Sequence, residues 1–261
     1  MPSWNIHIAH VERLLSERTA EELGIADANT FLFGNYVPDI YIGYMVPGVS
    51  FHLDYLITHV AQVDLIPVPD ADRFWDSYIA YRTPQTPAGM SLALGAWAHL
   101  VADRYYNGNF RAFWQTHETP AGDELRKRKQ ADFDLFGRSL RIASHVEITP
   151  ELLEAAQGFC GYSILPADVA KSVNVASEIV RTNVPENAQC DHYQLLGAAW
   201  LEDVFDSCHE RLRIWLETWQ QLEAKGERPL STLIRAEAGL PAATAFGKAV
   251  MSSDEKPPLV L

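Results

Sequence analysis

A chain of 261 residues with 48% hydrophobic content can bury a full core and has the composition of a globular protein. Its formal net charge of −13 argues against a protein that grips duplex nucleic acid by its phosphates, which needs a Lys/Arg surface. No apolar run approaches the roughly 20 residues of a membrane helix, and the opening Met-Pro-Ser-Trp-Asn-Ile-His has neither a basic nor an apolar leader region, so a cytoplasmic location is expected.

Taken in chain order, the apolar spacing of Ile6, Ala9, Leu14 and Leu15 predicts a helix over residues 6–23. The stretch 26–30 breaks it, and residues 34–48 are turn-rich, with Pro38 and Pro47 limiting any helix. A short helix is expected within 50–62 and another over 73–81, with loops at 66–72 and 83–89. Residues 91–106 form a strong, largely buried helix, and residues 124–140 another with a basic start. Thr149-Pro150-Glu151 is a helix start with Thr149 as N-cap and Pro150 in the first turn. Helices are further expected over 167–181 and, as one or two segments, over 193–224. Nothing alternates for long enough to make a sheet. The expected fold is all-α, a single multi-helical domain over residues 1–250 with a flexible tail at 251–261. Cys160, Cys190 and Cys208 are odd in number and lack Cys-x-x-Cys spacing, so buried thiols are expected rather than a disulfide framework.

The chemistry centres on His99-Leu-Val-Ala-Asp103. Residues four apart share a helix face, so one imidazole and one carboxylate can ligate the same metal, or the carboxylate can bridge two. Their neighbours Leu94, Ala96, Trp97, Leu100 and Val101 are apolar, and a charge in such surroundings needs a partner or a metal. A hydrogen-bonded His–Asp pair is the plainer alternative. Asp39, held just after Pro38, is a candidate ligand or general base; otherwise it caps a turn. His52 and His7 are candidate ligands whose alternatives are a surface histidine and a structural one. Asp203, Asp206, His209 and Glu210 have ligand-like spacing on the last long helix but read as a solvated face. Asp191-His192 has no third partner, Ser139 and Ser144 lack a nucleophile-elbow context, and there is no glycine-rich phosphate loop.

The ordered set His7, Asp39, His52, His99 and Asp103 resembles the zinc-dependent phospholipase C family (the phospholipase C/D domain) and the related single-strand-specific zinc nucleases. Gly34-Asn-Tyr-Val-Pro-Asp39 and Gly95-Ala-Trp-Ala-His99-Leu-Val-Ala-Asp103 carry the likeness, which covers roughly residues 2–140. The resemblance implies a multi-helical fold of the phospholipase C/zinc nuclease type and Zn²⁺ held by those five residues. It further implies hydrolysis of a phosphate ester or phospholipid head group, with Asp39 catalytic. Two departures bear on a third metal. The family's next histidine falls at Asn109, and the following helix offers Asp132 or Asp134 amid basic residues, with Lys129 a candidate for the vacated space. Two zinc ions are therefore expected rather than three. The resemblance also implies loss of Met1, so that the Pro2 amine approaches the metal beside His7. The alternatives are a degenerate relative that binds metal or ligand without turnover, and a nucleotide or nucleic-acid phosphoesterase.

Overall fold

The computed structural model describes residues 2–81, 86–120, 122–188 and 192–241. Among them every regular element is helical and there is no strand, as the absence of alternating runs predicts. No helix among the described residues is long and apolar enough to cross a membrane. The expected tail at 251–261 lies outside the described residues, as do Met1 and Cys190; Cys160 and Cys208 are buried.

Helix α1 spans Trp4–Glu17, shorter than the expected 6–23. It stops because Thr19 and Glu22 form a reciprocal capping box: Thr19 N donates to Glu22 Oε2 at 2.8 Å and Glu22 N to Thr19 Oγ1 at 3.2 Å. Helix α2 (Ala28–Gly34) starts on Asp27, whose carboxylate accepts from Asn29 N and Thr30 N. The Pro38 turn is itself one helical turn, α3 (Val37–Ile40). Of residues 50–62 only α4 (Tyr55–Thr58) is helical, and 71–80 divides into α5 (Ala71–Trp75) and a π-helical turn, Asp76–Ala80.

The axis of the molecule is α6 (Pro87–Thr116), 30 residues long and buried along most of its length. It begins earlier than its apolar core suggests, because Thr86 accepts from Gly89 N as N-cap and Pro87 sits at the first position. Around α6 stand α7 (Gly122–Ser139), α8 (Pro150–Gln157), α9 (Pro166–Thr182), α10 (Pro185–Ala188), α11 (Ala198–Glu223) and α12 (Ser231–Glu237). Thr149 caps α8 through Leu152 N with Pro150 in the first turn, as its sequence predicts.

Two faces of α6 serve different purposes. Trp97 packs edge-on to Trp75 of α5 at 5.0 Å and tilted against Trp215 of α11 at 5.3 Å. Two residues on, about 200° around the helix, His99 points away from that aromatic core. On this second side α2 crosses α6 in backbone contact. A Cβ on either Gly34 or Gly95 would lie 2.8 Å from the other's Cα, and a Cβ on Gly95 would also collide with the Phe31 carbonyl oxygen. Only glycine at both positions permits this approach, and it brings the Asn35 carbonyl to His99.

Candidate metal centre

Four segments deliver five side chains to one point: His7 from α1, Asp39 from α3, His59 from the end of α4, and His99 with Asp103 from α6. All five are between 0% and 1% exposed, so none is solvated. His59 Nε2 lies 3.3 Å from His99 Nε2, 3.4 Å from Asp39 Oδ1 and 3.4 Å from Asp103 Oδ2. His99 Nε2 lies 3.9 Å from Asp39 Oδ1 and 3.8 Å from Asp103 Oδ2. His7 Nε2 is 3.4 Å from Asp103 Oδ1, and its ring stacks on that of His99 at 3.9 Å. Two three-residue groups result, Asp39/His59/His99 and His7/His99/Asp103, each able to offer ligand atoms to one ion.

The surrounding hydrogen bonds aim these atoms inward. His99 Nδ1 donates to the Asn35 carbonyl at 2.8 Å, which leaves Nε2 as the lone pair facing the cluster. Thr58 Oγ1 donates to the Tyr55 carbonyl and so accepts from His59 Nδ1 at 2.9 Å, with the same consequence for His59 Nε2. Trp4 Nε1 donates to Asp39 Oδ2 at 2.9 Å and the Tyr55 hydroxyl to Asp103 Oδ2 at 3.3 Å. Metal-ligating histidines and carboxylates are oriented by outer partners of this kind.

What remains is a set of electron-rich atoms facing one another. Asp39 Oδ1, Asp103 Oδ1 and both ring nitrogens of His7 are buried without a hydrogen-bond partner. Such groups are costly unless a cation joins them. The spacings fit one: corners of a tetrahedron about 2.1 Å from its centre stand ~3.4 Å apart. Burial pushes the Asp39 and Asp103 carboxyls up, yet His99 and the other facing imidazoles hold both below the ordinary carboxylate value. Burial and the neighbouring His99 push His7 down to about 4, against the pull of Asp103. His7 is therefore neutral beside ionised carboxylates, the protonation that ligands need.

The structure brings together four of the five residues singled out from sequence and leaves out the fifth. His52 is exposed, in the extended segment before α4, where neighbouring Phe51 stacks on Tyr41 at 4.0 Å. His59, seven residues later, stands in the cluster instead. It closes α4, and Val60 behind it turns the chain away with φ of 49°, a left-handed conformation rare for a β-branched residue. Its sequence signal was a histidine within the apolar run Leu56-Ile57-Thr58-His59-Val60, with Asp54 placed to start a short helix. Replacing His59 by Ala is expected to lower bound zinc per chain sharply, whereas replacing His52 by Ala leaves it at the wild-type value. Metal analysis giving the reverse pattern would reinstate His52.

Among the described residues no third group forms where the family likeness placed one. Asp132 is spent on the backbone, accepting from Gln194 N, Leu195 N and Leu196 N at 2.6–2.7 Å. Asp134 accepts from Gln130 Nε2, and Asn109 Nδ2 turns back to the Tyr105 carbonyl. Pro2 is buried at the entry to α1. On α11, Asp203, Asp206 and Glu210 are exposed as expected, but His209 is buried and bonds Glu17 Oε2 at 2.9 Å. No family model matches this chain, and no curated protein or solved structure matches it either.

The buried imidazoles set a pH dependence. His10 is 2% exposed, stacked on Phe205 at 4.2 Å, and burial together with His209, His7 and Arg13 pushes it well below its usual value. His7 and His10 thus bind a proton more readily in the unfolded chain than in the folded one. The stability they support is complete above the unfolded value near 6.5 and is lost as pH falls, over the range down to about 4 for His7. Each unit of depression corresponds to about 1.4 kcal/mol. The metal-free protein is expected to show a urea midpoint that falls steadily from pH 7 to pH 4.5; a flat midpoint would contradict neutral burial. Asp39 and Asp103 are held low, so their contribution is lost only below their ordinary value of 3.8.

Proposed function

We propose that this chain is a metal-dependent hydrolase of phosphate esters, with a fold and centre of the phospholipase C/zinc nuclease type. One observation carries the reading: the convergence of His7, Asp39, His59, His99 and Asp103, all buried, into two groups that share His99. The order of His7, the Pro38-Asp39 turn and the His99-x-x-x-Asp103 helix supports the same family. These five residues would hold the cations, with Asp103 offering one oxygen toward His7 and the other toward His59. The mixed nitrogen and oxygen donors suit zinc and accommodate manganese or iron. When bound, two such ions neutralise phosphoryl oxygens and lower the pKa of a coordinated water.

The protein's own groups then have distinct tasks. Trp4 fixes one oxygen of Asp39, leaving Oδ1 directed at the cluster, where it can ligate and can take the proton of an attacking water. Tyr55 stacks on His59 at 3.8 Å and bonds Asp103, so one side chain aligns a ligand from each of two segments. With a net charge of −13, a small phosphate ester or a phospholipid head group suits the protein better than a polyanionic nucleic acid.

The test is zinc content and hydrolysis of bis(p-nitrophenyl) phosphate before chelation, after it, and after zinc is restored. Activity should follow the metal, and Asp39→Asn should reduce turnover by roughly 10²-fold or more, because a neutral amide ligates weakly and accepts no proton. A second reading, metal held without turnover, is favoured by the near-zero exposure of all five residues. If protein loaded with zinc, manganese or iron hydrolyses no phosphodiester, phospholipid or nucleotide, that reading replaces the first.

A further inference from the structure

The five side chains of the centre are enclosed, so an ion or an ester reaches them only when part of the chain moves aside. The segment between two of their helices is built for such a movement. Residues 42–52 leave α3 just beyond Asp39 and lead into α4, which His59 closes. Leu53 N donates to the Tyr41 carbonyl at 2.9 Å, and Phe51 stacks on Tyr41 at 4.0 Å, so the two ends of the segment meet at a neck. A loop pinched in this way is an Ω-loop, a compact surface element. Gly43 near the neck and Gly48 at its midpoint have φ of 95° and 66°, the left-handed region that glycine enters without steric cost.

The body of the loop is fastened to α9 through Asp168 and Lys171. The buried Asp168 carboxylate accepts from Ser50 N at 3.2 Å through both oxygens, from the Tyr41 hydroxyl at 3.1 Å and from Lys171 Nζ at 3.0 Å. Lys171 Nζ also donates to the Gly48 carbonyl. Tyr44, on the same loop, reaches the other way. It is 66% exposed, yet burial and then the Asp39 and Asp103 carboxylates push its hydroxyl up. The Tyr55 hydroxyl, which bonds Asp103 at 3.3 Å, is pushed up by burial, by the same two carboxylates and by Tyr44. One side chain of the loop thus spans from solvent to the carboxylates of the centre.

We propose that residues 42–52 are a lid over the metal centre, latched shut by Asp168 and Lys171: release of Gly48 and Ser50 from this pair lets the loop swing at Gly43 and opens the way to Asp39, His59 and Asp103. This rests on the reading of the centre as a metal site. Lys171 is the member of the latch that yields. Its side chain is 38% exposed, so its pairing with Asp168 is weakened by water and salt. Asp168 keeps its bond to Tyr41, so the neck stays closed while the body moves. A glycine hinge with a few breakable ties is the usual construction of a lid.

The test follows hydrogen exchange of residues 42–53 in the full chain by mass spectrometry, together with the rate at which excess EDTA strips zinc from loaded protein. Lys171→Met should keep the wild-type zinc content and raise both rates about 10-fold, the effect of losing one charge-assisted hydrogen bond. Exchange across α6 should stay at the wild-type rate. Lys171→Arg keeps the charge and should return both rates to wild type. Exchange of 42–53 that Lys171→Met leaves unchanged overturns the latch. Faster exchange there with no faster zinc release overturns the lid, because the loop then does not cover the centre. An equal rise across α6 marks a general loss of stability and overturns the inference too. Wild-type protein that takes up no zinc overturns the reading of the centre and the inference together.

Discussion

Replacing His99 by Ala is expected to abolish zinc binding and to destabilise the protein even when the metal has been removed beforehand. His99 belongs to both three-residue groups, so its loss breaks both at once, whereas loss of His7 or His59 breaks one. The metal-free cost has a separate origin. Asp39 Oδ1 and Asp103 Oδ2 face the His99 ring from 3.9 and 3.8 Å, and the Asn35 carbonyl takes its Nδ1 proton. With alanine there, two buried carboxylates lose a balancing dipole and a buried carbonyl loses its donor. Removing one member of a buried charged network costs about 3–5 kcal/mol, which for a chain of this size lowers the melting temperature by roughly 6–15 °C. Zinc content by elemental analysis and melting with and without chelator separate the two effects. His99→Ala protein that retains wild-type zinc would mean that these residues are a hydrogen-bonded cluster and nothing more.

How far this centre is legible in the sequence depends on how local each relationship is. His99 and Asp103 are four apart on one helix, and helical geometry alone puts them together. Asp39 is marked by its proline, and His7 by its place at an apolar helix start. His52 and His59 are separated by nothing local: both are histidines among apolar residues, and only the packing of α4 against α3 decides which one turns inward. The order of residues in the family likeness named His52, whereas the histidine whose Nε2 stands nearest three of the other residues is His59. The helices follow the same rule. Thr149-Pro150 announces α8, while Asn107-Gly108-Asn109 looks like the end of α6 and is not. There the amides find partners in the Pro67 and Tyr105 carbonyls, and Phe110 and Phe113 continue the buried face. Asp132 shows the converse: a carboxylate in ligand-like surroundings proves to be a clamp on three backbone amides of a distant loop.

Gly95→Ala is the substitution of one methyl group expected to do most damage. In a helix interior alanine is ordinarily favoured over glycine by about 1 kcal/mol, so propensity alone predicts a gain. Packing predicts the opposite. The new Cβ would collide with the Phe31 carbonyl oxygen and lie 2.8 Å from Gly34 Cα, and both obstacles are backbone of a neighbouring helix that no rotamer change can clear. Helix α2 must then move off α6, at the 1–3 kcal/mol or more that overpacking costs. The movement does not stay local, because Asn35 follows Gly34 directly and its carbonyl orients His99. Loss of stability and weakened zinc affinity should therefore appear together in Gly95→Ala. Gly158→Ala is the control: its Cβ would come no closer than 3.4 Å to Glu154 O, and it should change neither quantity by much. If Gly95→Ala melts and binds zinc as the wild type does, then α2 can yield without disturbing His99, and the close crossing of the two helices is not what orients the site.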